Sequence, residues 1–178
     1  QVICEATREQ TSAGEGRYNC SRITACADST LLLVVDRLYA QAWKDYLKPS
    51  PAMNFLYRSY DAGVTWDGPE ETGITEGIVP SIKELSDGTL ILGVTEQFES
   101  DAPGRGFSNL QTTYLSADKA ATWEGPFNVP DPPVPTVNGE KWKLCEGDFA
   151  EMDDGTVVIY LREAGEQLSG WKSVSCDG

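Results

Sequence analysis

The 178-residue chain is 40% apolar and 24% charged, the balance of a globular protein long enough to bury a sizeable core. Its formal charge of −14 argues against nucleic acid and anionic membrane surfaces as partners, since either needs clustered Lys and Arg. With no His anywhere, a His-ligated metal and a Ser-His-Asp triad are excluded from this chain.

In chain order, Gln1 opens the sequence with no signal-peptide pattern, which leaves the compartment undecided. Cysteines stand at 4, 20, 26, 145 and 176, an odd number without C-x-x-C spacing, so neither a zinc site nor a complete disulfide framework is expected. Asn19-Cys20-Ser21 is formally a glycosylation sequon, but it runs into an apparent core strand and reads as part of it. Residues 27–36, ADSTLLLVVD, couple a turn to the longest apolar run in the chain, which is far short of the ~18 residues that span a bilayer. A long aromatic-bearing loop follows, WKDYLKPSPAMNF, and reads as facing a ligand. Next come Ser59-Tyr60-Asp61-Ala62-Gly63-Val64-Thr65-Trp66 and Gly68-Pro69.

The same series then repeats. Residues 86–95, SDGTLILGVT, restate the turn and buried strand. Ser116-Ala117-Asp118-Lys119-Ala120-Ala121-Thr122-Trp123 follows 57 residues after its first copy, again with a Gly-Pro at 125–126. Residues 153–162, DDGTVVIYLR, restate the turn and strand a third time, and Ser175-Cys176-Asp177 reads as the opening of a third Ser-x-Asp motif. Two motifs sharing one period near sixty residues mark a structural repeat. No amphipathic helical stretch of useful length appears, and about four strands per unit is the pattern of a propeller blade. Within the motif, Asp accepts backbone N–H bonds, Gly63 takes positive φ, and Trp66 and Trp123 fold over equivalent hairpins.

Ser-x-Asp-x-Gly-x-Thr-Trp resembles the Asp box of the sialidase (neuraminidase) superfamily, whose members are six-bladed β-propellers. The first copy matches in full, the second has Ala120 in place of Gly, and the third is cut short. The resemblance implies an all-β chain, a single partial propeller domain over 1–178. Its four-stranded blades would fall roughly at 17–75, 76–135 and 136–178, the last incomplete. It further implies that this is the N-terminal half of a longer protein, with the other half of the propeller as its partner. A secreted or periplasmic setting follows from the same resemblance.

That family grips a substrate carboxylate with an arginine cluster, protonates the leaving oxygen with an Asp, and attacks with a Tyr activated by a Glu. The chemistry is reasonable, because a carboxylate beside the anomeric carbon repels a carboxylate nucleophile and suits planar guanidinium forks. The resemblance assigns Arg22 of SRIT, Arg37 of VVDRLY and Arg162 of VVIYLRE to the cluster. Asp45 of QAWKDY becomes the acid/base, and Glu146 of LCEGDF, sixteen residues before Arg162, becomes the activating carboxylate. The last arginine and the Tyr would lie beyond Gly178, so this chain alone is expected not to hydrolyse a sialoside. No cofactor or metal is implied. The expected partner is a carbohydrate or glycoconjugate, with the three guanidinium groups converging beside Glu146. Against this stands the plainer reading of strand-end ion pairs. The rival functions are a non-catalytic propeller that binds carbohydrate or protein, and a hydrolase for a neutral or uronic sugar that works with carboxylates alone.

Overall fold

The computed structural model describes residues 9–11, 14–39, 52–75, 77–99, 107–136, 139, 142–164 and 170–175. They form three antiparallel sheets, each a meander in which strands adjacent in sequence are adjacent in space. The first sheet contains β1 (Glu9–Thr11), β2 (Gly14–Ala25), β3 (Leu31–Tyr39), β4 (Ala52–Ser59) and β5 (Asp67–Thr75). The second contains β6 (Gly77–Glu84), β7 (Leu90–Glu99), β8 (Phe107–Ser116) and β9 (Glu124–Asn128), and the third β10 (Leu144–Glu151), β11 (Val157–Glu163) and β12 (Gly170–Ser175). No helix occurs among the described residues. The expected four strands per sheet hold for the second alone. The first gains β1, which pairs with the opening of β2, and the third shows three among the described residues.

The β2–β3, β6–β7 and β10–β11 connections are the same turn, written by an acidic residue two positions before Thr. Asp28, Asp87 and Asp154 accept the N–H of Thr30, Thr89 and Thr156 at 3.0, 2.8 and 3.0 Å. The intervening residue takes positive φ: Ser29 at 70°, Gly88 at 88° and Gly155 at 82°. An Asp that bonds its own backbone two residues on makes the chain reverse there, so the apolar run always begins at the following residue.

The Ser-x-Asp motifs close the β4–β5 and β8–β9 hairpins with one hydrogen-bond pattern. The Ser59 hydroxyl donates to Asp61 at 2.9 Å and accepts the Gly63 N–H at 2.8 Å. Asp61 in turn accepts the Thr65 N–H at 2.8 Å and the Thr65 hydroxyl at 2.6 Å. Ser116, Asp118, Ala120 and Thr122 repeat these bonds at 2.8, 2.9, 2.9 and 2.6 Å. Trp66 and Trp123 occupy equivalent places and are both half-buried. Gly68 and Gly125 follow at φ 133° and 145°. A Cβ there would come within 2.8 Å of the Leu56 and Thr113 carbonyl oxygens, which explains the repeated Gly.

The cores lie between the sheets. Leu32, Val34 and Leu56 of the first sheet meet Val79, Ile82, Leu90, Leu92 and Val94 of the second, with Trp123 packed against them. Ile91 and Val129 of the second meet Phe149, Val157, Ile159 and Leu161 of the third. Burying each such side chain stabilises by about 1.5–3 kcal/mol. Leu33, Val35, Phe55 and Tyr57 form a separate cluster on the far face of the first sheet, with Trp66 against it. Alternation along β3 and β11 therefore defines two faces: one toward the second sheet, one away from it.

Candidate functional site

Strands β2, β6 and β10, each leading into the acidic turn of its sheet, pack against one another, β2 on β6 and β6 on β10. Each carries an irregularity near its start: between Tyr18 and Ser21, Ile78 and Ser81, and Cys145 and Asp148. Such bulges leave residues unpaired and re-aim side chains. In β10 the residues between the flanking pairs are Glu146 and Gly147, and Glu146 stands at φ 52°.

A buried polar network holds that bulge in place. The Thr95 hydroxyl, 1% exposed, accepts the Glu146 N–H at 2.9 Å and donates to Gln111 Oε1 at 3.2 Å. Gln111 Oε1 also accepts the Gly147 N–H at 3.1 Å, while its amide donates to the Val94 and Thr112 carbonyls at 2.9 Å each. Two backbone donors that the bulge removes from the ladder are thus satisfied across the sheet boundary. The result presents the Glu146 carboxylate outward, 3.0 Å from Arg162 Nε. Both side chains are open to solvent, 60% for Arg162 and 44% for Glu146.

The other sequence-derived residues are placed separately. Arg22 lies in β2 opposite Val34, on the side facing the second sheet. Its Nε donates to the Pro80 carbonyl and a terminal nitrogen to the Ser21 carbonyl at 2.9 Å. Ser81 holds the same position relative to the turn in β6, and its hydroxyl donates to the Gly147 carbonyl at 2.8 Å. Arg22 and Ser81 therefore make the same stitch in successive sheets. Arg37 lies near the end of β3 on the face away from the second sheet, its guanidinium carbon 6.0 Å from the Tyr18 ring centre. Arg162 lies at the matching end of β11, on that sheet's own outer face with Tyr160. Arg37 and Arg162 share an end of the fold, and the three arginines occupy three different faces with three different partners. Asp45 lies outside the described residues, as does most of the loop expected to face a ligand; its last residues, 52–55, belong to β4.

Sequence reasoning overlooked Thr95 and Gln111, whose role appears only across the boundary between sheets. It also passed over Asp148, exposed in β10 two residues after Glu146 with its Oδ1 accepting the Phe149 N–H at 3.0 Å. That residue was visible in the quoted LCEGDF. A cavity of about 480 Å³ lies elsewhere, lined by Ile91, Phe149, Val157, Ile159 and Ser173 among others, and none of the candidate site residues lines it.

No family model and no curated protein matches the sequence. Solved structures do. A protein of unknown function from Dyadobacter fermentans superposes with a TM-score of 0.69 at 20% identity, over 91% of this chain and 48% of that one. A Hadza microbial sialidase gives 0.62 at 15% identity, over 91% and 32%. An α-L-arabinofuranosidase from Fusarium graminearum, solved with an iminosugar inhibitor, gives 0.61 at 18% identity, over 90% and 45%. The likeness is one of fold. The three antiparallel sheets are similar to those of propeller glycosidases, and the chain spans less than half the length of each of these structures.

Proposed function

We propose that the chain is part of a six-bladed propeller glycoside hydrolase of the sialidase type, acting on a terminal acidic sugar. In this reading the two Ser-x-Asp hairpins are Asp boxes, and the blades run roughly 17–75, 76–135 and 136–178. The observation that carries it is the Glu146–Arg162 pair, displayed by a bulge on β10 and separated by 3.0 Å. Arg162 contributes a guanidinium fork to a ligand carboxylate, together with Arg37 at the same end of the fold. Glu146 accepts the proton of a Tyr nucleophile supplied from outside this chain, which keeps a second carboxylate away from an anionic anomeric centre. Asp45 serves as the acid/base in the loop before β4.

A second reading has its own support. Arg22 is engaged with the Pro80 and Ser21 carbonyls and Arg162 with Glu146, while Glu146 and Asp148 are both exposed on β10. That arrangement suits a neutral sugar handled by carboxylates alone, as well as it suits an anionic one.

Aryl glycosides assayed with the complete protein separate the readings. Sialidase-type function predicts turnover of an α-sialoside, and at least a tenfold loss of affinity for an anionic sugar in Arg162→Ala, about 1.4 kcal/mol. The exposed Glu146–Arg162 pair contributes only about 0–1 kcal/mol to folding, so the variant remains folded. Turnover of a neutral furanoside with Arg162→Ala unaffected would instead support the second reading. Absence of turnover on both, with sugar binding retained, would leave a non-catalytic binding propeller. The 178-residue chain by itself is expected not to hydrolyse a fluorogenic sialoside.

A further inference from the structure

The two Ser-x-Asp turns serve as each other's control, because one hydrogen-bond pattern builds both. That pattern uses Ser, Asp, Thr and a backbone N–H, and it asks nothing of the side chain that follows Ser. The second turn has Ala117 there, whereas the first has Tyr60, which is 67% exposed. Folding therefore does not account for the ring. A lone exposed aromatic would need no account, but Tyr60 lines a cavity of about 260 Å³ at the turn end of the boundary between the first and second sheets. The buried Leu32 and Leu90 line it too, and Asp28, Arg58, Glu84 and Lys119 stand around them. These charged groups already have protein partners. Lys119 Nζ reaches Asp28 Oδ2 at 2.5 Å, joining the turns of the two sheets. Arg58 donates to the Lys119 and Ala120 carbonyls at 2.7 and 3.3 Å and pairs with Glu70 at 3.3 Å. Glu84 accepts the Ala27 N–H.

We propose that this cavity binds one neutral pyranose unit of a glycan, with an apolar face of the sugar ring on Tyr60. An entering cation would meet Lys119 and Arg58, and an anion would meet Asp28 and Glu84, so neither sign of charge is favoured. Hydroxyl groups, which both donate and accept, suit such a rim: a carboxylate keeps spare lone pairs and an ammonium spare N–H donors. The face of the Tyr60 ring is electron-rich and meets the polarised C–H groups of a sugar. Size agrees as well. A cavity of about 150 Å³ admits benzene, so the larger one here holds a single six-membered ring with its hydroxyls. The Glu146–Arg162 pair lies at the other end of the sheets, roughly 20 Å away by strand length. The inference therefore does not depend on the catalytic reading.

The test titrates the 178-residue chain with the methyl glycosides of galactose, glucose, N-acetylglucosamine and glucuronic acid, followed by saturation-transfer NMR and calorimetry. Saturable binding of at least one neutral probe is expected, in the millimolar range or tighter. Tyr60→Ala should lose at least tenfold in affinity, and Ala117 at the equivalent place shows that the turn forms without the ring. Tyr60→Phe keeps the stacking face and should stay within about threefold of the parent. Val64→Ala, on the same turn but outside the cavity lining, should bind as the parent does, and so should Arg162→Ala at the other end of the fold. No binding of any neutral probe up to its solubility limit overturns the proposal, as does binding of the glucuronide alone. Binding that Tyr60→Ala retains overturns it too, and its loss in Arg162→Ala would move the sugar to the Glu146 end. Equal losses in Tyr60→Ala and Tyr60→Phe would exclude stacking and likewise overturn it.

Discussion

At the scale of single residues, the hairpins depend on carboxylates that must stay ionised. The Thr122 hydroxyl and N–H hold Asp118 down to about 2, and the same two groups of Thr65 lower Asp61 in the first hairpin. A carboxyl depressed in the folded state stabilises fully above its unfolded value near 3.9 and stops doing so as pH falls through the folded one. The melting temperature is therefore expected to fall between about pH 4 and pH 2, and to flatten over that window in Asp61→Asn and Asp118→Asn, which melt lower throughout. Burial, aided by Glu84 and Asp28, pushes the Cys26 thiol up to about 11. Alkylation of Cys26 at pH 8.5 should then be slow in the native protein and fast in urea, because the thiolate is the reactive form. Gln111 is the residue on which the Glu146 bulge most depends. Gln111→Leu strands the Gly147 N–H, so a loss of about 1–3 kcal/mol is expected in urea unfolding.

At the scale of elements, the hairpins show which sequence signals translate directly into structure. Turns and buried strands were legible because their causes are local: an Asp bonding its own backbone, a Gly at positive φ, an uninterrupted β-branched run. Ala120 tests the account. It sits at φ 66° where the first hairpin has Gly63 at φ 85°, a conformation that costs a residue with a Cβ roughly 1–2 kcal/mol. Part of that cost returns as backbone entropy on replacement by Gly, so Ala120→Gly should gain up to about 1 kcal/mol in urea unfolding. Gly125→Ala should lose more than that, since its Cβ would meet the Thr113 carbonyl at 2.8 Å. The candidate site was far less legible. The resemblance singled out Glu146 and Arg162, and they do meet. Nothing within SRIT, however, reveals that Arg22 faces the neighbouring sheet and uses its guanidinium on Pro80, as Ser81 uses its hydroxyl on Gly147. Such contacts are set by which face of one sheet meets the next, and no local pattern encodes that.

At the scale of the whole molecule, the boundaries between sheets are joined by a repeated acidic latch. Glu84, ending β6, accepts the Ala27 N–H from the first sheet's turn; Glu151, ending β10, accepts the Ser86 N–H and hydroxyl at 2.7 and 2.6 Å. Glu151→Ala should accelerate amide exchange at Ser86 and leave Ala27 unchanged, a local response that identifies the latch as a unit. The same feature makes the stack directional. The second sheet gives its Glu84 carboxylate to the first sheet's turn and its own turn to Glu151 of the third, so each of the two contacts joins unlike surfaces. Contacts of that type close into rings when the rotation per step divides a full turn, and wind into open helices when it does not. A duplicated copy of such a unit arrives with its plug and socket already matched to its parent. Lengthening a gene by whole repeats then needs no new interface, only a step angle that lets the last copy meet the first.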